Sequence, residues 1–228
     1  MSYLTQEEQE NLNILKYFWR DYGRYLAGLI IIFIIAYCSK ELWVFNSKQQ
    51  AIEANKLYNN ILILSLQDQS KDNSINSSDN SNHTITNKNQ LTVILDNLQK
   101  SYPKTLDAAN ASLLMAKYYF KHADLNNATK NLLWVISNAR DKGLVAQARL
   151  RVADVYMEEK NYVAAIKVLQ DNQTQAYAQI IKAKIGDVYM ASEDLTNARQ
   201  NYKDAAKLSS SDPALDQMIQ LKLDVLGD

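Results

Sequence analysis

Residues 153–169 read ADVYMEEKNYVAAIKVL. Ala153 and Tyr156 stand three apart, on one face of a helix, and the polar run Glu158-Glu159-Lys160-Asn161 closes that helix in a solvated turn. Ala165 and Leu169 then stand four apart, on one face of a second helix. The same set recurs outward in both directions. Ala116, Tyr119, Ala128 and Leu132 precede it, and Gly186, Tyr189, Ala198 and Tyr202 follow it, at intervals of 37 and 33 residues. Each position has a physical reason. The small residue lets the first helix approach the second, the tyrosine fills the gap between them, and the second-helix alanine accepts a neighbour's bulk. The longer interval needs extra connecting chain, which SNARDKG at 137–143 supplies.

A spacing near 34 residues with these residue types resembles the tetratricopeptide unit, so the fold class expected is all-α, a solenoid of helical hairpins. An irregular helical bundle with chance similarity is the competing reading. Residues 51–66, with Ala51, Ala54, Leu57, Tyr58, Ile61 and Leu62 on a broad apolar face, would pair with residues 90–101 as a degenerate first hairpin. Between them, residues 67–89 are mostly Asn, Ser, Asp and Lys, a composition expected to form a flexible polar loop. At the other end Asp212 and Pro213 suit a helix start, and Ala214, Leu215, Met218 and Ile219 predict a capping helix over 212–226. In tetratricopeptide register the concave lining falls on Leu113, Lys117 and Phe120, then Leu150, Asp154 and Met157, then Ala183, Asp187 and Met190. These nine are the candidate protein-binding groove. Their alternative is plain packing on the second helices or on the first hairpin.

Upstream lies the apolar stretch 25–45, YLAGLIIIFIIAYCSKELWVF. A helix needs roughly 20 apolar residues to cross a hydrocarbon layer about 30 Å thick. Tyr25 to Ser39 is free of charge, and the required length is reached with Lys40 and Glu41 at the far interface, where a lysine stem can lie along the lipid. Tyr22, Tyr25, Tyr37 and Trp43 sit near the two ends, as interfacial aromatics do. A cleaved signal fits less well: Glu7, Glu8 and Glu10 lie in a long leading segment, no Ala-x-Ala site follows, and Tyr37 precedes Cys38 where a lipoprotein signal has a small residue. The expectation is one transmembrane helix over 25–45, a cytoplasmic segment over 1–24 and an exported domain over 46–228. Lys16, Arg20 and Arg24 against Lys40 and Lys48 vote for that orientation. Leu12, Leu15, Trp19 and Tyr22 share one helix face, which fits an interfacial helix or a plain extension of the span.

Charge and composition narrow the function. Lys+Arg and Asp+Glu balance at 25 each, with no basic patch, so nucleic acid is not the partner indicated. Five glycines and two prolines leave little turn chemistry for a many-stranded β fold. Neither a G-x-S-x-G elbow, a phosphate-cradling loop, an H-E-x-x-H helix nor a C-x-x-C pair occurs. The single cysteine, Cys38, lies in the apolar stretch; His83 stands alone in the polar tract and His122 at a helix end, where capping is its expected role. Neither a metal site nor a nucleophile–base pair can be assembled, and no enzyme, cofactor or small-molecule substrate is expected.

The whole layout resembles the YfgM family of ancillary Sec translocon subunits. The resemblance rests on Glu7 and Glu8, Phe18 and Gly23, one anchor, Trp43, Ala51 and Tyr58, the hairpins, and the closing Pro213-Ala214-Leu215, Met218 and Lys222. Its departure is the long Asn/Ser-rich tract at 67–89. The resemblance implies a single-pass inner-membrane protein of Gram-negative bacteria with its repeat domain in the periplasm. It also implies partners: the SecYEG channel, the PpiD chaperone of the parvulin class, and emerging secretory proteins. A regulatory tie to an envelope-stress phosphorelay is implied too. A structural scaffold for outer-membrane or cell-division assembly is the alternative the residues leave open.

Overall fold

A computed structural model describes residues 6–72, 80–171, 175–208 and 212–227, with side chains described from residue 22 on except at 24, 27 and 68–86. Nine α-helices account for nearly all of the described chain, and no strand occurs among those residues. Two compact units divide it, Met1–Gln50 and Ala51–Asp228.

The first unit is helical throughout its described residues and belongs to α1 (Gln6–Asp72). Its described apolar side chains lie open: Ile30 to Ile35 are all more than half exposed, and Phe33 reaches 72 %. Between Gly28 and Gln67 this helix includes one stretch long and apolar enough to cross a membrane, and none of that stretch is buried within the protein. Exposed isoleucine over several turns is unfavourable in water and favourable in hydrocarbon, which is the physical meaning of the pattern. The interfacial-helix expectation for Leu12, Leu15 and Trp19 concerns side chains outside the described set, and residues 1–5 lie outside it altogether.

The second unit opens with the end of α1, where Ala54 and Ile61 are fully buried beside Leu57 and Tyr58, and continues with α2 (Asn80–Ser101), whose Leu91, Leu95 and Leu98 join the same core. Helix therefore extends on both sides into the tract read as a loop: residues 67–72 finish α1 and 80–89 start α2, leaving 73–79 outside the described residues. Nothing between 67 and 89 is glycine or proline, so no residue there stops a helix outright.

Three hairpins follow. They pair α3 (Leu106–Lys121) with α4 (Leu125–Asn138), α5 (Lys142–Glu158) with α6 (Tyr162–Gln170), and α7 (Ala178–Ala191) with α8 (Leu195–Ala206), and α9 (Pro213–Leu226) ends the array. The register residues occupy the positions their spacing predicts. Ala116 and Ala153, the second-helix Ala128, Ala165 and Ala198, and the bulky Leu132, Leu169 and Tyr202 are all at most 2 % exposed. Gly186 differs from its two alanine counterparts for a visible reason. A Cβ built on it would lie 2.6 Å from the Tyr202 ring, so the bulkier tyrosine sixteen residues on demands the missing methyl.

The bend within each hairpin is also repeated. Ala123, Lys160 and Glu193 adopt φ of 56°, 57° and 62°, the left-handed region, and each is followed by a capping residue. Asp124, Asn161 and Asp194 accept from the backbone N–H groups of Asn127, Ala164 and Asn197 at 3.1–3.2 Å. Their own N–H groups close the turn on the carbonyls of Tyr119, Tyr156 and Tyr189. Asp124 is held below the usual carboxylate range, first by the Asn127 side chain and also by Lys88, against some burial. A depressed carboxylate contributes stability above its unfolded value of about 3.9, and that contribution disappears as pH falls through the folded value. We therefore expect Asp124→Ala to cost about 1 kcal/mol at neutral pH in urea melts, with the gap to the parent narrowing below about pH 4. An unchanged gap in acid would show that the charge on Asp124 is irrelevant to the cap.

Candidate protein-binding surface

The pocket begins with the same close approach that builds the hairpins. Ala116 on α3, Leu132 on α4 and Val155 on α5 form a buried apolar floor under an open pocket of about 280 Å³. Phe120, 42 % exposed, is its wall, and Lys117, Arg151 and Asp154 stand at the rim. Three of the nine sequence-assigned residues thus meet here: Lys117, Phe120 and Asp154. Lys117 and Phe120 share a face because they are one turn apart on α3, and Asp154 faces them from α5.

The other six are placed differently. Leu113 and Ala183 are 5 % and 1 % exposed and belong to the core clusters, so neither lines an open groove. Leu150 and Met157 are half-buried against the core cluster that includes Ala153, Ala165, Leu169 and Ile185. Met190 sits in a second open pocket of about 410 Å³, shared with Ala214, Met218, Leu221 and Val225 of α9. Asp187 is taken up by structure: it accepts from the Tyr202 hydroxyl at 2.7 Å and pairs with Lys222 of α9, with Lys184 3.9 Å away. Burial, reinforced by that carboxylate, pushes the Tyr202 phenol well above its ordinary range, so it remains a donor at any physiological pH.

Charge at the first pocket is uneven. Asp154 is already engaged by Lys184 at 2.6 Å. Lys117 and Arg151 have no carboxylate partner among the described residues, and Arg151 makes one long bond, 3.4 Å, to the Leu113 carbonyl. Arg151 was outside the sequence assignment because the repeat register counts it one position off the lining set. His122 caps α3, its backbone N–H directed at the carbonyls of Tyr118 and Tyr119, while its ring stacks on Tyr118 at 4.4 Å. Glu158 and Glu159 end α5 in solvent, as a polar turn should. Among the described residues no cluster of three His, Cys, Asp or Glu side chains could hold a metal ion.

Helical hairpins in tetratricopeptide register, preceded by an exposed apolar helix, define a repeat protein of the helical-solenoid class. The comparisons agree with that class. The model of the family described as "Tetratricopeptide repeat-like domain" matches residues 16–228. A protein of Neisseria gonorrhoeae named "Ancillary SecYEG translocon subunit" is 30 % identical over 220 residues, 96 % of this chain and 97 % of its own length. Proteins of the same name from Escherichia coli and Haemophilus influenzae are 24 % and 23 % identical, each with 98 % or more of both chains covered. The chain belongs to this family of tetratricopeptide-like ancillary translocon subunits.

Proposed function

We propose that the chain is a non-enzymatic subunit attached to the SecYEG translocon, held in the inner membrane by α1, with its hairpin domain in the periplasm. There it receives emerging chains and passes them to membrane-anchored periplasmic chaperones of the PpiD type. The observation that carries this reading is the end-to-end match to proteins named for the translocon. Two features of the chain support it: an apolar helix with no protein core around its side chains, and an open apolar pocket on the hairpins that offers grip without chemistry.

A tagged full-length chain, solubilised in mild detergent after photocrosslinking from a reactive residue at Phe120, tests it. Channel subunits and secretory chains should be recovered together. Recovery of outer-membrane assembly proteins alone would replace the reading by a scaffold. In the same cells, protease added to spheroplasts should remove the hairpin domain, and full protection would reverse the orientation.

A further inference from the structure

We propose that the pocket between α3 and α5 selects extended segments in which a large apolar side chain is followed closely by an aspartate or glutamate. This deepens the reading of the chain as a receiver of exported polypeptides, and rests on it. The apolar part of the assignment comes from shape. The floor is buried, the Phe120 ring presents an exposed face, and the volume of about 280 Å³ accommodates one side chain of phenylalanine or methionine size.

The acidic part comes from charge. Three charged groups surround the opening, but they do not cancel. Lys184 already neutralises Asp154, while Lys117 and Arg151 lack carboxylate partners among the described residues. An occupant thus meets two cations and one satisfied anion. A carboxylate next to the apolar anchor gains both cations, and the planar guanidinium of Arg151 can take it through two N–H donors. A lysine at that place would face them unscreened and be rejected. The carboxylate is that of an internal side chain, because a polypeptide leaving a channel shows its internal segments before its end.

The test uses the full-length chain in detergent and short fluorescein-labelled peptides, amidated at the C-terminus, with Phe-Asp, Phe-Asn, Phe-Lys or Ala-Asp between Gly-Ser flanks. Fluorescence anisotropy should rank Phe-Asp first, with Phe-Lys weaker by about ten-fold and Ala-Asp weaker still. Combining Lys117→Glu with Arg151→Glu should reverse the Asp–Lys order while leaving the thermal melt in place. Lys117→Gln, the milder variant, should narrow that difference without reversing it. Equal binding of Phe-Asp and Phe-Lys, binding of none of the peptides, or an order untouched by the charge reversal would overturn the proposal. Binding that requires a free C-terminal carboxylate would overturn it as well, in favour of chain ends. Co-purification of SecYEG is read in the same preparations, and its absence would sink the translocon reading without altering the peptide ranking.

Discussion

Gly186→Ala should destabilise the hairpin domain by about 2 kcal/mol, although alanine is the better helix former by about 1 kcal/mol. The sign follows from geometry. The added methyl would stand 2.6–2.7 Å from two carbons of the Tyr202 ring. That ring is 1 % exposed and tied at its hydroxyl to Asp187, so it cannot swing away. For a domain of this size the loss corresponds to a fall in melting temperature of about 4–8 °C. In a Tyr202→Leu background the effect should change sign, because Ala with Leu is the pair the other two hairpins carry at these positions. There Gly186→Ala should stabilise by about 1 kcal/mol. A double-mutant cycle by urea denaturation measures the coupling, about 3 kcal/mol by this reasoning. Additive effects would mean that the glycine serves some other purpose.

Asp187→Ala should cost about 2 kcal/mol and release α9 first. Removing the carboxylate leaves a buried phenol without its acceptor and Lys222 without its counter-ion. The figure is kept well below that of a fully buried pair because Asp187 and Lys222 retain 23 % and 28 % exposure. Asp187→Asn, which keeps an oxygen for Tyr202 and loses only the charge, should cost about half as much. Hydrogen exchange distinguishes this from general loosening: amides of α9 should speed up before those of α3 to α6. Uniform acceleration across the domain would show that Asp187 does not act as a local clasp.

Much of the architecture was readable before any coordinates. Small, aromatic and alanine positions at fixed offsets gave three hairpins, because close helix packing permits few residue types at those sites. The bends were harder, though their signal was present. Asp124, Asn161 and Asp194 each stand eight residues after the small position. Such residues carry little weight by themselves, because a polar residue in a turn is ordinarily explained by solvent. The candidate surface was legible only in part. Transferring lining positions from a uniform repeat assumes that every hairpin presents the same face. The α9 helix breaks that assumption by drawing Asp187 and Met190 to itself, and Lys184 engages Asp154 across 30 residues of sequence. Ion pairs between separate hairpins leave no periodic trace, so the two unmatched cations emerge only when all partners are located.

Among the described residues of the second unit, every substantial helix-to-helix contact joins helices one or two places apart along the chain. Contacts so short in sequence lose little loop entropy as they form, which favours fast assembly from either end. The core around α3–α4 draws on α1, α2 and α5 and on nothing beyond α6. A chain delivered in sequence order can build its core behind itself, hairpin by hairpin, before its last helix is present.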